Sequence, residues 1–175
     1  MEKKIVFSRE EMLELNIQRL KSRGVEVKDI ALIAYNQQSR YSKDVPYEEC
    51  EESVLKILSL RDIFHIVQLG IEIDELTEQG KLSSPIQDIL KADLGMFGVD
   101  EILGLAIANN YGVIGQTNFG DIDVNKPGIV AKLNEDGKSD KYNCHTFLDD
   151  IVGAIAAAAS TRVAQVMSEN LARHE

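Results

Sequence analysis

Two acidic pairs carry the clearest chemical potential in this chain, Asp100-Glu101 in GVDEILGLAI and Asp149-Asp150 in TFLDDIVGAI. Carboxylate oxygens without histidine or cysteine suit a hard divalent cation, Mg2+ first, with Mn2+ or Ca2+ able to substitute in binding. Magnesium fits best because it keeps waters and takes few protein carboxylates, leaving positions for phosphate oxygens. Each pair alone has a plainer explanation: acids near a helix start are stabilised by free backbone N–H groups and by the macrodipole. The neighbourhood favours a shared site. Gly98 and Gly104 flank one pair, Gly153 and the alanines at 156–159 follow the other, and small residues let helices approach closely. Packed together, those faces would converge four carboxylates, which raise one another's pKa until a cation or a proton neutralises them.

Other residues offer chemistry more weakly. His145, just ahead of the second pair, has the type of a general acid and equally that of a surface residue at a helix start. His65, among Ile63, Phe64, Ile66 and Val67, reads as partly buried and structural, and His174 as tail. TNFGD at 117–121 invites a phosphate-loop reading because Gly and Asn tolerate positive φ, yet it matches no full pattern and a tight turn explains it. EECEES at 48–53 is better explained as a solvated acidic helix face around Cys50 than as a ligand cluster. Cys50 and Cys144 lack metal or redox spacing and read as reduced thiols, Cys50 half-buried.

The elements that must position these groups read as helices. SREE at 8–11 is a capping box ahead of Leu13, Ile17 and Leu20, and Gly24 is a natural stop. Val27, Ile30, Ala31 and Ala34 set a second helix ending near Tyr41, and Pro46 opens a third carrying Cys50, Val54, Ile57 and Leu58 on one face. Ser59 offers a cap for a fourth that runs to Gly80, either separate from the third or joined to it by a kink. Ser83-Ser84-Pro85 starts a short helix over Ile86–Lys91, one from Gly98 to near Gly112 holds the first acidic pair, and a long Ala-rich one over 146–173 holds the second. Between Tyr111 and His145 the period dissolves into a Gly-, Asn- and Asp-rich run. It predicts one long functional loop between the last two helices, with 129–133 as a short strand or extended piece. With no repeat or linker, the expectation is an all-α, compact multi-helix bundle, residues 1–175 forming a single domain.

Composition agrees: of 175 residues 44% are hydrophobic, only 6% aromatic and none Trp, which suits helix-on-helix packing. A formal net charge of −10 excludes non-specific nucleic-acid binding and gives no electrostatic help on an anionic lipid surface. The N-terminus lacks a secretory apolar run, and no stretch reaches ~20 consecutive apolar residues. The expected location is cytoplasmic, with at most transient membrane association, and a homodimer is the default assembly.

GVDEILGLAI, DVNKPGIVAKL and TFLDDIVGAIAAA, in that order, resemble the motifs of the phosphatidylglycerophosphatase A family. GVEVKDIALIAYNQQSRY resembles the N-terminal extension of its soluble, Firmicutes-type branch, and the likeness spans 24–166. The resemblance implies an all-helical fold, Mg2+ dependence and removal of the terminal phosphate of phosphatidylglycerophosphate. By position it points to Asp100, Glu101, Asp149, Asp150 and Lys126 beside Pro127 as site residues. Lys126 would neutralise phosphate oxygens; a solvated loop lysine is the plain alternative. The likeness departs from membrane-bound members in lacking hydrophobic spans, and KSDKYNCHTFLDD stands where they carry a glycine-rich run.

The expected activity is therefore Mg2+-dependent hydrolysis of a phosphate ester, lipid or soluble. Asp100, Glu101, Asp149 and Asp150 are the expected ligands, with Asp150 also orienting a water or attacking phosphorus itself, and Lys126 as a catalytic cation. Two rivals stand beside it: an all-α nucleotide pyrophosphohydrolase, and a non-catalytic metal-binding regulatory or scaffold protein.

Overall fold

In the computed structural model, residues 4–95, 97–139 and 142–173 are described; His174 lies outside them. They form α1 (Arg9–Ser22), α2 (Val27–Gln38), α3 (Tyr47–Leu58), α4 (Arg61–Glu78), α5 (Ile86–Lys91), α6 (Val99–Ala108), a 3-10 turn (Asn109–Tyr111), α7 (Gly112–Asn125), α8 (Ile129–Ser139) and α9 (Leu148–Ala172). No strand occurs among the described residues, and the all-α expectation is met.

Local chemistry sets several boundaries. Ser8 Oγ accepts the Glu11 N–H at 3.2 Å while the Ser8 N–H donates to the Glu11 carboxylate at 2.8 Å, closing the expected capping box. Gly98, at φ +77, turns the chain into α6, a conformation that a side chain would strain. Ser59 does not cap α4: its hydroxyl donates back to the Lys56 carbonyl at 2.7 Å, and Leu60 takes the N-cap position without a side-chain bond.

The core is built around α9. Along 148–163 every residue except Arg162 is buried, and α2, α3, α4, α6, α7 and α8 all pack against it. Ala154 and the alanines at 156–159 are fully buried. They make a narrow waist that costs no side-chain entropy and admits neighbouring helices closely. Ile151, Val152 and Ile155 fill the space above, each stabilising the fold by roughly 1.5–3 kcal/mol through burial. By length and composition α9 could cross a membrane, yet 67% of its apolar window is buried inside the protein. Core packing thus accounts for its apolar character.

The expected long loop between the last two helices is replaced by α7 and α8, joined by residues 126–128 alone. The 129–133 segment is the first turn and a half of α8, not an extended piece. Low-propensity Gly and Asn obscured α7, which is held by tertiary packing of Gly115, Asn118, Phe119 and Ile122, its buried face. His65, expected partly buried, is exposed, and Cys50, expected half-buried, has no exposure at all.

A carboxylate and lysine cleft at the first turns of α6 and α9

The site begins with how α9 starts. Asp74, fully buried on α4, caps it from outside: Phe147 N–H donates to Oδ1 at 3.1 Å and Leu148 N–H to Oδ2 at 3.0 Å. The Cys144 thiol adds a contact to Asp74 Oδ1 at 3.5 Å. One turn along α4, Glu78 accepts the Cys144 N–H at 2.9 Å and pairs with Arg23 at 2.5 Å, while Arg23 donates to the Cys144 carbonyl at 2.9 Å. Gly70 lets α4 approach closely, since a Cβ there would lie 2.3 Å from Ile151 Cδ1 and 3.3 Å from Phe147 Cβ. The backbone that presents Asp149 and Asp150 is therefore fixed by α4 and by Arg23 at the end of α1.

Asp100 and Glu101, in the first turn of α6, face Asp150 in the first turn of α9, and one oxygen from each lies within 4.8 Å of the others. Asp100 Oδ1 and Glu101 Oε2 are buried without a hydrogen-bond partner. Asp149 is placed differently. Its Oδ1 accepts the Asp150 N–H at 3.0 Å and its Oδ2 accepts from Lys126 Nζ at 3.1 Å, so both oxygens are engaged. Lys126 Nζ also reaches Asp123 at 2.8 Å and Asp150 Oδ1 at 3.4 Å. Lys126 ends α7 at φ +43, a left-handed conformation uncommon for a residue with a side chain and costing about 1 kcal/mol or more. Its three carboxylate partners hold it there.

Burial dominates the electrostatics. It pushes the Asp100 carboxyl up to about 7, helped by Glu101. It pushes Asp150 up to about 8, helped by Asp149 and opposed by Lys126, and Asp149 up to about 6, again opposed by Lys126. For Lys126, burial favours the neutral amine, but Asp149, Asp123 and Asp150 outweigh it and raise the pKa. One ammonium faces more acids than it can neutralise. Buried carboxylate oxygens without donors, on acids that hold protons near neutrality, fit a small hard cation.

The cleft has a volume of about 170 Å3, and its other polar wall residues are Asp93, Asp123, Asn134, Lys138 and Thr146. Sequence reasoning missed these five. Asp123 could have been found from its i, i+3 spacing to Lys126 had α7 been read as a helix; the others carry no local signal.

Several other candidates lie elsewhere. His145 Nδ1 sits 3.2 Å from Arg23 Nη2, and burial, then Arg23, lower its pKa. The ring is held beside Arg23 ahead of α9 and does not line the cleft, so the structure does not bring this general-acid candidate to the carboxylates. TNFGD runs inside α7, where its backbone N–H groups serve the helix and no phosphate loop exists. EECEES lies on α3, with Glu49 paired to Arg162 at 2.7 Å. The expected role of glycines between α6 and α9 is also corrected. Gly104 admits the Phe119 ring, and a Cβ at Gly153 would meet Ile122 at 3.1 Å, so both mainly accommodate α7.

Known proteins resemble the whole arrangement. YutG of Bacillus subtilis strain 168 is 49% identical over 146 residues, covering 83% of this chain and 86% of its own. The crystal structure of the low temperature requirement C protein from Listeria monocytogenes aligns with a TM-score of 0.85 at 46% identity, covering 90% of this chain and 97% of that one. That of YpjQ from Bacillus subtilis aligns with a TM-score of 0.86 at 41% identity, covering 93% and 99%. The phosphatidylglycerophosphatase A family matches residues 34–165. Because that match spans most of the chain and takes in every carboxylate and the lysine of the cleft, the chain belongs to the phosphatidylglycerophosphatase A family.

Proposed function

We propose that this chain is a Mg2+-dependent phosphomonoester hydrolase that converts phosphatidylglycerophosphate to phosphatidylglycerol and phosphate. The observation that carries this reading is the convergence of Asp100, Glu101 and Asp150 oxygens within 4.8 Å, two of them buried without donors, beside a protonated lysine. Asp100, Glu101 and Asp150 would hold the ion; Mn2+ or Ca2+ would compete for the same oxygens. When bound, Mg2+ supplies charge neutralisation for the phosphate oxygens of a doubly charged, slow-reacting monoester.

The chain's own residues supply the rest. Lys126, kept protonated by its acidic neighbours, binds phosphate oxygens as a fixed cation and orients phosphorus over the carboxylates. Asp149 takes the proton of the attacking water as the new bond to phosphorus forms, and as the ester bond breaks the leaving alkoxide takes up a proton, from Asp149 or from solvent, and departs as the alcohol. A carboxyl pushed to about 6 is well matched to that task near neutral pH. This departs from the sequence expectation, in which Asp149 and Asp150 were both ligands and Asp150 was also the water-orienting or attacking group: Asp150 keeps only the ligand role and Asp149 takes the other. The reason is geometric: Asp150 faces Asp100 and Glu101, whereas Asp149 is turned to Lys126.

The nucleotide pyrophosphohydrolase reading loses its support, because Glu48, Glu49, Glu51 and Glu52 stand on α3, outside the cleft. The test is phosphate release from phosphatidylglycerophosphate in detergent and from soluble phosphomonoesters, each with Mg2+ or with EDTA. Mg2+-dependent release from the lipid is expected. Pyrophosphate release from nucleotides would revive the rival, and no metal-dependent release from any substrate would leave a scaffold.

A further inference from the structure

Residues 94–120 contain only two charged side chains, Asp100 and Glu101, in a chain that is 27% charged, and both line the cleft. The solvent side of this stretch is correspondingly uncharged, and its exposed side chains are mostly apolar, with Asn109, Asn110 and Thr117 the polar ones. On α6 it presents Val99, Ile102 and Leu105 at helical spacing, Ile102 63% exposed, and on α7 Val113 and Ile114 at 75% and 65%; beyond the stretch, past Asp121 and Asp123, α7 adds Val124 at 80%. A helix apolar on its outer as well as its inner face is one that something else covers.

α6 and α7 pack against each other, Gly104 admitting Phe119 and Gly115 resting on the Ala108 carbonyl, so their outer faces adjoin. The fold-back brings the start of α6 beside the end of α7. Those two ends carry Asp100, Glu101, Asp123 and Lys126, so the open end of the hairpin is the cleft. Val99 adjoins Asp100, Val124 adjoins Asp123, and Leu94 both lines the cleft and is 53% exposed. Face and mouth are continuous.

We infer that the outer face of the α6–α7 hairpin docks on a lipid bilayer and sets the mouth of the cleft at headgroup level; this rests on the reading of the substrate as a lipid phosphate. The alternative occupant, a second copy of the chain, would overhang the mouth that the face adjoins. A bilayer on the same face instead brings an amphiphile's phosphate to the carboxylates while its acyl chains stay in the membrane. α6 and α7 carry no Lys or Arg of their own, Arg40 beside α7 is paired with Asp121 at 2.6 Å, and the chain carries a net charge of −10. Insertion of Ile and Val side chains therefore drives docking against electrostatic repulsion.

That signature is testable by flotation of the full chain with phosphatidylcholine vesicles and with vesicles containing anionic lipid. The wild type should float with neutral vesicles at any ionic strength, and with anionic vesicles better as added salt screens repulsion. Ile102→Glu combined with Ile114→Glu should weaken binding to neutral vesicles by about tenfold or more. Its melting temperature should not change, because both side chains are exposed. A wild type that does not float with neutral vesicles, or a double variant that floats equally well, overturns the inference. So does a wild-type dimer in sedimentation that the double variant splits while neither binds vesicles, which assigns the face to a second copy. Normal flotation behaviour without phosphate release from any substrate supports the docking face and rejects only the enzymatic reading.

Discussion

Asp150→Asn separates the structural from the metal-binding role of the cleft, because the two effects have opposite signs. In the metal-free protein Asp150 is a buried carboxyl held up at about 8. An amide of the same shape stands in for that protonated carboxyl and cannot ionise, so the melting temperature in EDTA should stay level at neutral pH and rise relative to the wild type above pH 8. With Mg2+ at a hundred times its dissociation constant, binding stabilises the wild type by about 2.7 kcal/mol. At ~2–4 °C per kcal/mol for a domain of this size, that is a rise of roughly 5–11 °C. Losing one of three converging carboxylates should weaken binding about a hundredfold, and the same Mg2+ concentration then yields ~0.4 kcal/mol, or about 1 °C. Scanning fluorimetry across a Mg2+ titration, referenced to EDTA, reads both numbers. A Mg2+-induced shift in Asp150→Asn equal to that of the wild type would refute the assignment of Asp150 as a ligand.

The pH dependence follows from Asp100 and Asp150, whose folded pKa values are raised from 3.8 to about 7 and about 8. A raised acid contributes stability that is present below its unfolded pKa and lost as pH rises through the folded one. The metal-free protein should thus melt lower at pH 8.5 than at pH 5.5, and Mg2+ affinity should climb over the same window with proton release. Calorimetric titration in buffers of different ionisation heat measures that release, and none at pH 7 would contradict the shifts. Asp74→Ala removes the acceptor for the Phe147 and Leu148 N–H groups and should cost about 2 kcal/mol or more in urea unfolding. It should also weaken Mg2+ binding, since the start of α9 loses its anchor. Gly70→Ala sets a Cβ 2.3 Å from Ile151 Cδ1 and should cost roughly 1–3 kcal/mol in the same assay; a neutral result would mean that Ile151 re-packs freely.

Where local chemistry decides, the sequence was a good guide. The Ser8 capping box, the Pro85 start of α5 and the Gly98 entry to α6 need only neighbouring residues. α7 was illegible because its helicity depends on α9. With Gly112, Gly115, Gly120 and two asparagines its intrinsic propensity is poor, and only Phe119 and Ile122 in the core offset that. Missing α7 also hid Asp123 and the strained backbone of Lys126. The acidic pairs were visible as candidates, yet their division of labour was not. Which oxygen turns to Lys126 and which to Asp100 depends on the rotation of the α9 start, set by Asp74 seventy-odd residues away in sequence. Helical periodicity carries no trace of so distant a cap.

The most direct measurement is the position of a metal. Crystals of the chain soaked in Mn2+, which takes the same oxygen ligands as Mg2+ and scatters anomalously, should show one strong peak bounded by the carboxylates of Asp100, Glu101 and Asp150, about 2–2.3 Å from their oxygens. Asp149 should remain on Lys126. A peak coordinated by other residues, or no peak at saturating Mn2+ with these carboxylates ionised, would contradict the site on which the proposed hydrolysis depends.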